Sequence, residues 1–233
     1  KIVFVGGPCG GKSASLDYFQ KKFLKDGINA IFISETANYL LNNGLEINRN
    51  ISIFDFQNLL FKLQFLKEYL REERSEVLVC DRGLLDGKVY IGEKAYSEIL
   101  KLNRVTEDVI KNTYDVAAYF KSIAYEYPDE FAKKRIYETP ECGIKRDIES
   151  LNVWKGLVLP LDYKNEDGFI LKREKIYLGI LEYILKNKDK YKQNLNSYYD
   201  FSYVRFMLNG IDTILESNHL TEETKMNVRR LVR

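Results

Sequence analysis

Eight residues near the start, Gly6 to Ser13 (GGPCGGKS), read G-x-x-x-x-G-K-[ST] and follow directly on the apolar run Ile2 to Val5. This pattern constrains the chain more than any other, because a strand that opens into such a loop must feed a helix whose first turn faces a phosphate. The backbone from Gly7 through Pro8, Cys9, Gly10, Gly11, Lys12, Ser13 and Ala14 forms the expected cradle. Lys12 reaches the outer phosphates, and Ser13 offers its hydroxyl to Mg²⁺. The expected cofactors are therefore a nucleoside triphosphate and Mg²⁺. An amphipathic helical pattern follows, with Leu16, Phe19 and Phe23 on one face and Asp17, Lys21, Lys22 and Lys25 on the other.

The strand-loop-helix motif repeats in looser form along the chain. Ile28 to Ser34 is β-rich and is followed by Glu35, after which Ala37 to Asn43 has a helical pattern. Ile51 to Glu73 carries a long helical stripe through Ile53, Phe56, Leu60, Leu63 and Leu70, whose aromatic neighbours suit a core better than a stacking platform. Glu76 to Cys80 reads as a buried strand ending at Asp81-Arg82-Gly83. Tyr114 to Phe120 and Gly156 to Leu161 supply a fourth and a fifth strand, the last weakened by Pro160. Five strands alternating with helices predict an α/β fold, a three-layer α-β-α P-loop NTPase with a mostly parallel sheet. Phe169 to Lys186 closes the domain.

We place the nucleotide-binding domain at 1–187 and a helical C-terminal extension at 188–233, with helices near Val204 to Leu215 and Thr221 to Leu231. The extension carries Tyr191, Tyr198, Tyr199 and Tyr203, and packs either on the domain or on a second copy, which leaves a homodimer open. The segment 126–155 is rich in both charges, with Thr139 and Pro140 marking a helix start. It is either a solvated helix pair or a lid whose cations, Arg135 and Arg146 among them, close over phosphates.

The polar residues that packing does not explain gather after successive strands. Phosphoryl transfer needs charge neutralisation and alignment rather than covalent help, and each of these residues suits one of those tasks. Lys12 offsets charge on the outer phosphates, while Ser13 and Asp81 hold the Mg²⁺. Arg82 contacts the transferred group or an acceptor phosphate. Glu35 takes a proton from an acceptor hydroxyl or positions a water, unless it serves only as a charge at a helix N-terminus. Asp81 and Arg82 have the alternative of an internal salt bridge.

Composition narrows the partners. With 36 basic and 34 acidic residues in 233, the charge balance gives no reason to expect nucleic acid. Three cysteines without C-x-x-C spacing argue against a disulfide framework or a zinc site. No apolar stretch is long enough for a membrane span, so a cytoplasmic location is expected. The N-K-x-D guanine signature is absent, since Asn187-Lys188-Asp189 lacks the intervening residue, so ATP is favoured over GTP.

The loop at 6–13, Glu35 and the DRGLLD stretch at 81–86 resemble the small P-loop families around thymidylate kinase and the deoxynucleoside kinases. The loop at 6–13 and the stretch at 81–86, together with Glu138-Thr139-Pro140-Glu141, Trp154 and the closing segment 162–186, are also similar to AAA-like ATP/GTP-binding proteins, a family that includes the fly protein named for a TRPL translocation defect. The first resemblance implies a kinase acting on a nucleoside-like or nucleotide-like small acceptor. The second implies a regulatory NTPase that acts as a switch on a protein partner.

Overall fold

The computed structural model describes residues 1–135, 138–187 and 198–232. Among the described residues four strands, β1 (Ile2–Val5), β2 (Ala30–Ile33), β3 (Val77–Asp81) and β4 (Val116–Tyr119), pair in the order β2-β3-β1-β4. Every pairing is parallel, with Phe4 opposite Asp81 and Ala118, and Ile33 opposite Cys80. The carboxyl ends of the strands are thus in step, which is where open parallel sheets bind ligands.

The fifth strand expected at Gly156 to Leu161 does not form. A parallel bridge, Val158 to Ala117, is what remains of it. The Ala117 N–H donates to Leu157 O at 2.7 Å and the Leu159 N–H to Ala117 O at 2.9 Å. Gly156 enters with φ +91, and the Tyr119 carbonyl further along β4 accepts the Tyr163 hydroxyl at 2.6 Å in place of a backbone rung.

Two apolar layers cover the sheet. On one face Ile2 and Phe4 pack against Phe19 and Phe23 of α1 (Lys12–Lys25) and Ile176, Tyr177 and Ile180 of α8 (Gly168–Asn187). On the other, Val3 and Val5 join the cluster built by α3 (Ile53–Tyr69) and α4 (Gly87–Leu102), together with Trp154. Alternate residues of β1 therefore face two different cores, which is why the strand reads as an unbroken apolar run.

Helix α3 starts at Ser52, whose hydroxyl accepts the Asp55 N–H at 3.0 Å. It lies among the neighbouring elements and is buried nearly all round, so that Gln57, Asn58, Lys62, Gln64, Lys67 and Glu68 are buried beside its leucines. Buried polar groups need partners. Lys62 finds one in Asn103 Oδ1 at 2.6 Å, and Glu68 accepts the Tyr114 hydroxyl at 2.7 Å.

The described part of the C-terminal extension belongs to this same core. Helix α9 (Phe201–Ser217) buries Met207, Ile211 and Leu215 in the α3 cluster. Tyr199 and Tyr203 pack edge-on against Phe65, and the Tyr39 hydroxyl of α2 (Thr36–Asn42) donates to Asn227 O at 3.1 Å from α10 (Glu222–Arg229). Tyr191 lies outside the described residues. Helices α5 (Glu107–Asn112), α6 (Pro128–Lys134) and α7 (Pro140–Val153) complete the set. As the sequence indicated, Thr139 caps α7, accepting the Cys142 N–H at 3.3 Å.

Ile211 is 2% exposed. Ile211→Ala is therefore expected to cost about 2–5 kcal/mol in urea unfolding. An unchanged midpoint would mean that α9 is not docked.

Candidate functional site

The loop from Gly6 to Lys12 wraps tightly because its glycines leave no room for side chains. Gly6 has φ +119, and a Cβ there would meet Phe120 O at 2.3 Å. The Lys12 ammonium, 6% exposed as a residue, donates to Gly6 O at 2.9 Å and Gly7 O at 2.6 Å. Burial first, and then the charge of Arg82, lower its pKa to about 7. Next to it, Ser13 Oγ donates to Asp81 Oδ2 at 2.5 Å. The other carboxylate oxygen, Asp81 Oδ1, is buried without a hydrogen-bond partner among the described residues. An unpaired buried carboxylate oxygen beside a hydroxyl and a phosphate loop is a donor set that fits Mg²⁺. Ser13 and Asp81 are the residues that would hold it, the pair expected from the sequence.

Glu35 and Arg82 are brought together at the same edge. Arg82 Nε lies 3.8 Å from Glu35 Oε1, while its Nη1 donates to Gly6 O at 2.8 Å and Asp86 Oδ1 at 3.2 Å. Asp86 also accepts the Gly83 N–H at 2.7 Å, closing the turn. Arg82 therefore pairs with Asp86 and Glu35 rather than with its neighbour Asp81. Burial opposes the Arg82 charge, but Tyr90, Asp86, Glu35 and Asp81 more than offset it and raise its pKa. Burial dominates at Glu35 and at Asp86, raising both carboxyls against the opposing pull of Arg82. A carboxylate raised in this way is better matched to proton transfer near neutral pH than an ordinary one.

A cavity of about 380 Å³ is lined by the phosphate loop, Glu35, Arg82 and one side of α3. Phe56, Leu60, Phe61 and Ile53 of α3 form its apolar wall. Gln57, 4% exposed, lines it with a buried Oε1 that has no partner among the described residues. Arg135 and Arg146 reach the mouth. Arg135 is exposed, whereas Arg146 is ion-paired to Glu138 and lies over the Tyr90 ring at 5.3 Å. Behind the loop, α7 turns Asp147 and Ser150 inward, where they accept the N–H groups of Gly7 and Gly6.

Three residues escaped the sequence reading, Gln57, Gln64 and Asp147, and Asp86 entered it only as the last position of the DRGLLD stretch. The polar residues Gln57 and Gln64, one heptad apart on an otherwise apolar stripe, were the available signal on α3. Asp147 had none, since its partner in the loop, Gly7, is 140 positions away in sequence. Of the N-K-x-D lookalike, Lys188 and Asp189 fall outside the described residues.

A family model described as an AAA domain matches residues 1–135, more than half of the 233-residue chain. Among solved structures the chain is similar to a deoxyadenosine kinase from M. mycoides, described with the product dCMP and a flexible dCDP bound. The identity is 13%, the coverage 91% of this chain and 98% of that one, and the TM-score 0.39. No curated protein matches. Among the described residues no helix is long and apolar enough to cross a membrane.

Nucleotide phosphates beside Lys12 favour its charged form, so binding raises its pKa again and takes up a proton once the pH exceeds about 7. Affinity for ATP is then undiminished below that value and weakens as pH rises, by up to about tenfold per unit from this group. Calorimetric titration at pH 8 in buffers of unlike ionisation enthalpy reads the uptake directly. Zero uptake would mean that Lys12 stays charged in the free protein.

Proposed function

The chain belongs to the AAA-domain family, and from that premise we propose that it is a Mg²⁺-dependent phosphotransferase, moving the γ-phosphoryl group of ATP to a small nucleoside-like acceptor. One observation carries the proposal, namely the α3 wall of the cavity beside the phosphate loop. An NTPase that merely hydrolyses its nucleotide needs room for a water, whereas this wall is made of Ile53, Phe56, Leu60 and Phe61 with Gln57, whose carboxamide oxygen has no partner among the described residues. Such a wall suits a planar, largely apolar group with a polar edge.

The chemistry follows from the groups that line the cavity. Lys12 neutralises the outer phosphates. Ser13 and Asp81 would hold Mg²⁺, which would supply further charge neutralisation at the phosphates. Glu35 accepts the proton of the attacking hydroxyl, and its raised pKa suits that task. Arg82 stands beside it with its Nη1 committed to Gly6 O and Asp86. Arg146, once released from its ion pair with Glu138, adds positive charge at the mouth.

Under this reading, ATP and Mg²⁺ supplied with a panel of nucleosides, nucleoside monophosphates and sugars should yield a phosphorylated nucleoside. Glu35→Gln is expected to lower kcat by about 10²–10⁴-fold while leaving ATP affinity within about twofold. Nucleotide hydrolysis without any acceptor product would favour the switch instead, and wild-type turnover by Glu35→Gln would remove the base.

A further inference from the structure

The active groups proposed above come from two separate loops, one after β2 and one after β3, and something must hold those loops at a fixed spacing. Their side chains meet only in a long ion pair. Arg82 Nε and Glu35 Oε1 are 3.8 Å apart, and Arg82 Nε makes no hydrogen bond among the described residues. The second oxygen of Glu35 accepts from Asn38 within its own helix, at 2.6 Å.

The connection runs underneath, through α3. Gln64 is 4% exposed, and its Oε1 accepts the Thr36 hydroxyl at 2.7 Å. Its Nε2 donates to the Arg82 carbonyl at 3.3 Å and to Glu68 Oε1 at 2.8 Å. Arg82 has φ +78, a left-handed conformation that a side-chain-bearing residue seldom adopts. The turn takes its carbonyl out of the strand ladder, and a buried carbonyl needs a donor. Gln64 supplies it. One turn along α3, Lys67 donates to Ser34 O at 3.1 Å and to Thr36 Oγ1 at 2.9 Å. The residues on both sides of Glu35 are thus tied to α3, and the same carboxamide reaches the backbone of Arg82.

We infer that Gln64 is a positioning residue for phosphoryl transfer, a clip that sets the spacing of Glu35 and Arg82 through Thr36 and the Arg82 carbonyl. The inference rests on the roles given to Glu35 and Arg82 under the proposed function. Gln64 touches no reacting atom in this scheme, and its hydrogen bonds go to Thr36, Arg82 and Glu68 rather than to the phosphate loop. Its loss should therefore misplace the acceptor end of the site and spare the donor end.

The test compares Gln64→Leu, Thr36→Val and Thr36→Ser with wild type and with the core variant Ile211→Ala. MgATP affinity, kcat, KM and hydrogen exchange are measured for each, using the acceptor that wild type turns over. Gln64→Leu should lower kcat by about tenfold to a hundredfold with MgATP affinity within about twofold. Hydrogen exchange at 34–38 and 82–86 should rise together, with the amides at 6–13 unchanged. Thr36→Val should follow it, and Thr36→Ser, which restores the hydroxyl, should recover most of the rate. The inference is overturned if Gln64→Leu keeps the wild-type kcat, or if its losses in rate and affinity simply track stability as those of Ile211→Ala do. Should Gln64→Leu not fold, the Thr36 pair decides by the presence or absence of rescue by serine. If wild type phosphorylates no acceptor, the kinase reading fails by itself, and exchange still judges the clip. Joint opening of the two loops upholds it, and unchanged loops sink it.

Discussion

The parallel register between β1 and β3 is the constraint on which the site depends. With Phe4 opposite Asp81, the strand that opens into the phosphate loop and the strand that ends in a carboxylate finish side by side. Ser13 can then reach Asp81 at 2.5 Å across 68 positions of sequence. A slip by one residue would turn every side chain of β3 to the opposite layer. The two faces of the sheet prevent this, because Val77 and Val79 are needed with Phe19 and Phe23 while Leu78 and Cys80 pack with Ile33. Hydrophobic packing along the strand thus determines where the carboxylate at its end stands.

Helix α3 carries the second half of the arrangement. It is buried nearly all round, and polar residues in such a helix are destabilising unless each is paired. Gln64, Lys67 and Glu68 are paired, and among their partners are the backbone and side chains of the loops that frame the cavity. Gln64, Lys67 and Glu68 tie neighbouring elements together, whereas the carboxamide oxygen of Gln57, which like Gln64 belongs to a cavity-lining residue, has no partner among the described residues. Helix α9 packs against α3 without lining the cavity, so the extension contributes to the rigidity of the site from behind.

What could be read from the sequence follows the range of the interactions involved. The phosphate loop was legible because its requirement is local, with glycines, a lysine and a serine within eight positions. Glu35 and Asp81 were legible because each follows an apolar run, and strand ends point to one edge of a parallel sheet. The missing fifth strand was legible only in part, since Pro160 weakens the run but the Tyr163 hydroxyl that binds the Tyr119 carbonyl lies beyond it. Gln57 and Gln64 were hidden by the apolar periodicity around them. The inward face of α7 was read as solvated or mobile charge, yet Asp147 and Ser150 are fully buried against the phosphate loop.

Arg82 brings these parts of the fold to one point. Its left-handed backbone is unfavourable, and a buried guanidinium is costly to desolvate, so the residue opposes folding on both counts. The surrounding groups offset that burden from three directions: Asp86 and Gly6 O bind the guanidinium, Glu35 and Asp81 contribute charge, and Gln64 satisfies the carbonyl. A chain selected for stability alone would do better with glycine at the turn and an apolar side chain beneath it. On the proposed reading the arrangement has a use, because a guanidinium already held by the protein beside a raised carboxyl need not reorganise as charge moves during transfer.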